Sequence, residues 1–391
     1  MIQNEALNGM IFMTDSPTDL LLKGEITPTY FNPDGVFRCI DFVLNCPKEQ
    51  DRHALEKMVG DATIRIFYLN LPSRYFLKSL GWREKYLERK AKEFISQKSF
   101  VRPDIIRAFN PFVEAGIAAH VAKATSTPFV ISLHGAYDID PVTTSMIREM
   151  VIKRFKNDLA RRIISSANLT VGVYLDASNY GKRMGATRIE TIYNAVSKPS
   201  LKPKGYSSSH KPSEKIRLIS VNRQDPLKNP INIVRAMSHL MNAELLLVGK
   251  GTMSNSIRLE IKKRGLTDRV TVLPSLDNAE LLELVQDSDI YVATCHYGGL
   301  SKGTIEAALM GKPIVLNLNK FKDNELEGDW LARCIDSEEG YAKVLQDLIY
   351  NFEMRSSFAR RALQFAKESF DPARLNSKWF NLYHEIVASS R

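Results

Sequence analysis

Short apolar runs rich in β-branched residues alternate with amphipathic stretches along nearly the whole chain, and this alternation is the pattern of parallel strands joined by crossover helices. In the first half the runs predict strands around Met10–Thr14, Cys39–Leu44, Ile64–Leu69, Ile105–Ala108, Phe129–Leu133, Leu169–Gly172 and Arg188–Ile192. In the second half they predict strands at Ile216–Val221, Glu244–Val248, Val270–Leu273, Ile290–Ala293 and Ile314–Leu318. Helical periodicity there falls near Asn229–Leu240, Ser256–Arg264, Asn278–Gln286 and Thr304–Met310. A chain of 391 residues exceeds one such core, because single cores stop growing at roughly 250 to 300 residues. Two doubly wound α/β units are therefore expected.

The segment 199–214, PSLKPKGYSSSHKPSE, has no apolar periodicity and is rich in Pro, Ser and Lys, which marks it as a linker. The expected domains are 1–198 and 215–370, followed by a C-terminal helix at 371–391. The helical pattern from Ser337 onward is broken at Pro372, so its last part is free to cross back onto the first domain.

Composition narrows the class. The 44% hydrophobic and 25% charged residues suit packed cores rather than disorder. The excess of 54 Lys and Arg over 44 Asp and Glu gives a net charge of +10, which favours anionic partners. Cys39, Cys46, Cys295 and Cys334 stand far apart, without the short spacing of a zinc site or a disulfide framework. The N-terminal MIQNEALNGMIFMTDSP lacks the basic start and apolar stretch of a secretory signal, and no apolar run reaches the roughly 20 residues of a membrane span. A cytoplasmic location is expected, with membrane contact only peripheral at the inner face. Trp82–Gln97 and Lys153–Arg162 are basic helical stretches that read either as solvated faces or as anionic-surface contacts. No nucleic-acid module is visible, because the basic residues are not interleaved with aromatics.

Chemistry concentrates where strands end, since ligands of open α/β sheets bind at the carboxyl edge. In RLISVNRQDPLKNP (217–230) a strand runs into a loop carrying Arg223 and Lys228. Two fixed cations there can hold a diphosphate and neutralise its charge as it leaves, without a metal; two plain surface cations are the alternative. In IYVATCHYGGLSKGTIEAALMGKPIVL (290–316) a strand, a glycine loop and a helix follow in order. Gly299, Leu300, Ser301 and Lys302 would then turn backbone N–H groups toward an anion at the helix N-terminus. Glu306, expected in the first turn, is either a ribose acceptor or a helix-capping carboxylate. LLLVGKGTM (245–253) ends a strand at Gly249 and Gly251, which a plain turn would also explain, and His134 stands at the end of the Phe129–Leu133 strand, where a lone His is as readily structural. Asp138-Ile139-Asp140 and Asp287-Ser288-Asp289 have the Asp-x-Asp form common by chance, so no metal site is expected.

Taken together, these segments resemble the retaining glycosyltransferase family four, the group 1 glycosyl transferases of GT-B fold. The matching residues are Arg223 and Lys228, Gly249 to Gly251, Asp268-Arg269-Val270, Ser288-Asp289, and Glu306-Ala307 with Gly311 and Pro313. Looser matches are Lys23-Gly24-Glu25 in place of the family's glycine loop, Arg102 to Ile106 leading to Phe109-Asn110-Pro111, His134-Gly135, and Ile192 to Val196. The resemblance implies two Rossmann-like domains facing a cleft, the second binding a UDP- or GDP-sugar as co-substrate and the first a saccharide or lipid-linked saccharide acceptor. It implies retention at the anomeric carbon, Arg223 and Lys228 acting on the diphosphate, and His134 reaching the donor sugar or phosphate. It further implies donor contacts from Glu306, Gly298, Gly299, Leu300, Ser301, Gly249 and Gly24. The chain departs from the family at Gly298, where a first glutamate usually stands, separated from Glu306 by seven residues. That departure keeps two other readings open: a nucleotide-sugar epimerase of the same fold, and a non-catalytic nucleotide-sugar-binding subunit. Cell-surface polysaccharide or lipopolysaccharide synthesis is the setting that the family implies.

Overall fold

A computed structural model describes residues 5–14, 16–22, 28–46, 52–69, 71, 84–137, 146–194, 196, 215–296, 300–318 and 325–390, with backbone alone over 146–155 and at 227. The expected linker 199–214 lies outside the described residues, as do Gly24, Gly298, Gly299 and Asp138 to Asp140. The chain divides into two compact units, Met1–Ala195 with Ala373–Arg391, and Val196–Pro372.

The first unit is built on a seven-stranded sheet with all pairings parallel. Its strands are β1 (Leu7–Met13), β2 (Phe37–Leu44), β3 (Thr63–Tyr68), β4 (Ile105–Phe109), β5 (Phe129–Leu133), β6 (Leu169–Gly172) and β7 (Ile189–Thr191), in the order β3-β2-β1-β4-β5-β6-β7. Central strands covered on both faces read as continuous apolar runs, which is why β4 and β5 are buried at every position. Alternate residues feed two cores. Met10, Phe12, Ile106 and Ile131 pack on one side, while Ile11, Ile105, Phe109 and Val130 pack on the other.

The second of these cores takes in the C-terminal helix Pro372–Ser389, so the chain does cross back. Pro372 opens that helix, where its fixed φ and missing N–H are tolerated. Leu375, Trp379, Leu382, Tyr383, Ile386 and Val387 recur at helical spacing and are all buried. At about 1.5–3 kcal/mol for each buried apolar side chain, this stripe contributes on the scale of a whole domain's net stability. Arg107 of β4, buried on the same side, is held by it. Its Nη1 donates to the Tyr383 hydroxyl at 2.9 Å and its Nε to Ser132 Oγ at 3.0 Å. The guanidinium lies 4.0 Å from the Trp379 ring centroid, a cation–π contact that offsets burial of the charge.

The second unit carries six parallel strands, β8 (Ile216–Val221), β9 (Ala243–Val248), β10 (Val270–Leu273), β11 (Ile290–Ala293), β12 (Ile314–Asn317) and β13 (Ala332–Cys334), in the order β10-β9-β8-β11-β12-β13. β13 is absent from the strands predicted above, because three residues with an exposed Arg333 at the centre give no periodicity to read. The predicted helix Asn229–Leu240 is instead an α-helix at Ile231–Ala236 and a 3-10 turn at Met237–His239. The C-terminal pattern breaks at Asn351 as well as at Pro372, giving helices Glu338–Tyr350 and Phe352–Phe370. Asn351 caps the second of these by accepting from Met354 N at 2.9 Å.

The basic helix Glu84–Ile95 has much of its charge compensated internally. Lys92 pairs with Glu88 at 2.8 Å and Lys90 with Glu93 at 2.6 Å, the signature of a solvated face. A pocket of about 360 Å³ lies between this helix, Val113–Thr125 and Met146–Ser166, away from the sheet's carboxyl edge. No helix among the described residues is long and apolar enough to cross a membrane.

Candidate functional site

The loop leaving β8 passes directly against the turn leaving β9, and the two glycines there are sterically required. A Cβ on Gly249 would lie 2.1 Å from Asn222 O, and one on Gly251 would lie 2.3 Å from Gln224 O. Gly249 also has φ +137°, outside the range that L side chains adopt comfortably. Gln224 N donates to Lys250 O at 3.1 Å and Met253 N to Gln224 O at 2.8 Å, which fixes the approach. Close contact, rather than a simple turn, explains the Gly-x-Gly. Its consequence is to hold the Asn222–Gln224 backbone at the edge of the sheet.

That edge carries the two expected cations. The Arg223 side chain is 75% exposed and lies 3.6 Å from Asp225. Lys228 ends a 3-10 turn whose backbone is held by Asp225, with Lys228 N donating to Asp225 Oδ1 at 3.0 Å. Lys228, Thr294, Cys295, Ser301 and Thr304 line one small pocket, so the ammonium-bearing loop meets the end of β11 and the start of the helix Lys302–Leu309. Ser301 caps that helix by accepting from Thr304 N at 3.2 Å, and Leu300 precedes it half-buried. The helix N-terminus thus presents its partial positive charge to the pocket shared with Lys228.

Glu306 lies in the second turn, not the first. Because Ser301 is the cap, the capping-carboxylate reading of Glu306 falls. Glu306 is 2% exposed, with Oε1 accepting from Asn278 Nδ2 at 2.9 Å and forming a longer ion pair with Lys302, whose Nζ is 3.9 Å away. Burial pushes its carboxyl pKa up, while Lys302 and the Asn278 hydrogen bond pull it back. A buried carboxylate with one close donor among the described residues keeps acceptor capacity for hydroxyls of a ligand. Asn278, first residue of the helix Asn278–Asp287, was not singled out from sequence, since an asparagine after Asp277 reads only as part of a helix start. Several polar atoms at the same edge have no hydrogen-bond partner among the described residues, namely Ser220 Oγ, Asn222 Nδ2, Thr294 Oγ1 and both amide atoms of Gln224. Native proteins leave few such groups buried, and their clustering here marks a polar ligand surface.

In the first unit, His134 follows β5, its backbone N–H donating to Asn110 Oδ1 at 2.8 Å. Its Nε2 is buried without a hydrogen-bond partner among the described residues, and its ring lies 5.4 Å from that of Phe109. Burial first, and the Arg107 cation second, push its pKa down to about 4, so the imidazole is neutral at pH 7. A neutral ring can accept or donate one hydrogen bond but adds no cation. Asp289, from the second Asp-x-Asp, accepts from Arg217 N at 2.8 Å and so has a role within the fold. Among the described residues no group of three or more His, Cys, Asp or Glu is placed to hold a metal ion.

Residues 205–365, which contain all of the second unit's edge, match the family model described as glycosyl transferases group 1. Over those residues the chain resembles a group 1 glycosyltransferase domain. No curated protein sequence gives a significant match to the chain. Solved structures agree with the chain in fold over nearly its whole length. Anabaena HepE, solved with UDP and glucose, superposes with a TM-score of 0.65 at 16% identity, covering 95% of this chain and 98% of that one. Sucrose-phosphate synthase from Thermosynechococcus elongatus gives a TM-score of 0.72 at 12% identity, covering 98% and 100%. The lipopolysaccharide outer core galactosyltransferase WaaB gives 0.63 at 13% identity, covering 98% of each chain. At such identities the likeness shows the fold, which is α/β of GT-B type.

Proposed function

We propose that this glycosyltransferase moves a sugar from a UDP- or GDP-linked donor to a saccharide or lipid-linked saccharide acceptor, with retention at the anomeric carbon and without a metal. The observation that carries the reading is the convergence of Lys228 with the Ser301-capped helix start in one pocket, beside the exposed Arg223. Two cations and a helix N-terminus would suit an anion such as a diphosphate, and both cations would stabilise charge as it accumulates on the leaving group. They take the part that a divalent ion would otherwise play. Glu306 accepts from the ribose hydroxyls, Gly249 permits the close approach of the Arg223 loop, and Leu300 and Ser301 offer backbone N–H groups. His134, with its neutral ring and buried Nε2, is the residue of the first unit proposed to hydrogen-bond the donor.

The net charge of +10 supports a peripheral position at the inner face of the membrane, where a lipid-linked acceptor for surface polysaccharide or lipopolysaccharide would be met. Thermal-shift screening of UDP- and GDP-sugars, followed by assay of sugar transfer in chelator, tests the proposal. A binding partner of the native state raises Tm by mass action, so a flat screen would remove the donor assignment. Complete and reversible loss of turnover in chelator would remove metal independence.

A further inference from the structure

His296 stands at the carboxyl end of β11, immediately after the pocket-lining residues Thr294 and Cys295. Its Nδ1 lies 3.5 Å from Asp336 Oδ2, an ion-pair distance, and Asp336 follows β13. Asp336 is itself held, because Asn232 Nδ2 donates to its Oδ1 at 3.0 Å and to its backbone O at 3.2 Å. Asn232 belongs to the helix that begins just after Lys228. Three separate connections of the second unit therefore converge on one imidazole. The His296 side chain is 33% exposed, and its Nε2 has no hydrogen-bond partner among the described residues.

A carboxylate beside Nδ1 favours the tautomer with the proton on Nδ1, and in that tautomer Nε2 is an acceptor. What it accepts follows from the layout of the site. Ile290 and Val292 of β11 pack in a core with the helices Ile231–Ala236 and Glu338–Tyr350, which places Asn232 and Asp336 toward that face. Tyr291 turns to the opposite face, where its hydroxyl bonds Val221 O at 3.3 Å and lies 2.6 Å from a Cβ built on Gly303. Glu306 and its partner Asn278 are on this opposite side, and Lys228, Thr294, Ser301 and Thr304 sit at the edge between. A nucleotide sugar has a fixed covalent order of ribose, diphosphate and sugar. With the ribose at Glu306 and the diphosphate at the edge, the sugar emerges on the His296 side.

We propose that His296 accepts a hydrogen bond from a hydroxyl of the transferred sugar, with Asp336 as its positioning residue and Asn232 positioning Asp336. The proposal rests on the donor-site reading given above. It assigns to His296 the discrimination between a nucleoside diphosphate and its sugar conjugate, a property distinct from holding the phosphates.

Calorimetric titration of the full chain with two ligand pairs, UDP with UDP-glucose and GDP with GDP-mannose, tests it on whichever pair the wild-type protein binds. In His296→Ala the sugar conjugate should bind about tenfold more weakly, while the free diphosphate binds within about twofold of wild type. Asp336→Asn is the second variant. Its side-chain oxygen stays with Asn232 and its NH2 turns to Nδ1, which moves the ring proton to Nε2 and removes the acceptor while leaving the imidazole in place. It should show the same selective loss, and His296→Gln, with an amide near the Nε2 position, should recover part of it. Equal weakening of both members of a pair, or no change in either, overturns the proposal. A selective loss in His296→Ala without one in Asp336→Asn overturns the positioning role. Wild-type protein that binds neither pair would instead overturn the donor-site reading, before any variant is made.

Discussion

Glu306→Gln separates binding from folding, because the change keeps shape and removes only the charge of a side chain that is 2% exposed. Burial raises the carboxyl's folded pKa above its ordinary 4.5. Such a group holds its proton more tightly when folded, so its contribution to stability is complete below pH 4.5 and is lost as pH rises through the raised value. At neutral pH the charged carboxylate therefore opposes folding, and glutamine, which still accepts from Asn278, should leave Tm unchanged or slightly higher. Ligand binding moves the other way. A hydrogen bond from a ribose hydroxyl contributes roughly 1.5–3 kcal/mol with a charged acceptor and roughly 0.5–1.5 kcal/mol with a neutral one. The loss is about 1–1.5 kcal/mol per hydroxyl, so nucleotide affinity should fall about tenfold for one bond and up to about 100-fold for two. Calorimetric titration with UDP and a thermal melt at pH 7 on the same preparation give both numbers. A lower Tm with unchanged affinity would refute the reasoning and leave Glu306 as a buried structural group.

Lys228→Ala should lower kcat by roughly 100-fold or more, the scale of losing one preorganised charge-stabilising donor, whereas a rise in KM at constant kcat would reduce Lys228 to simple attraction. Arg223→Ala should act in the same direction, and steady-state kinetics of the double variant should show less than the summed loss if both cations act on one diphosphate. Gly249→Ala should destabilise the chain by about 3 kcal/mol or more in denaturant unfolding, since its Cβ would fall 2.1 Å from Asn222 O at φ +137°; a change under about 1 kcal/mol would mean the two loops can separate. His134, with a folded pKa near 4, contributes stability that is whole above its ordinary 6.5 and declines as pH falls toward 4; an NMR titration placing its midpoint near 6.5 would contradict the buried, neutral ring.

The sequence by itself determined the α/β class and the elements of both sheets except β13, because strand and helix periods are local properties and buried parallel strands cannot avoid being apolar. It also placed Arg223 and Lys228 on the loop after a strand and Ser301 at a helix N-terminus, since a motif's position relative to its own strand or helix is read along the chain. Tertiary structure decided what those residues meet. Glu306 moved from cap to buried acceptor once Ser301 took the cap and Asn278, 28 residues away, supplied the donor. The glycines of 249–251 acquired their reason only when the β8 loop was seen against them. Arg107 reads as an intrusion in an apolar strand until Tyr383 and Trp379 arrive from the other end of the chain. His296 gains a role only when β13, invisible to periodicity, brings Asp336 to its side. Each of these pairings joins residues distant along the chain, and the energy that selects them comes from burial and hydrogen bonding formed only when the sheets assemble.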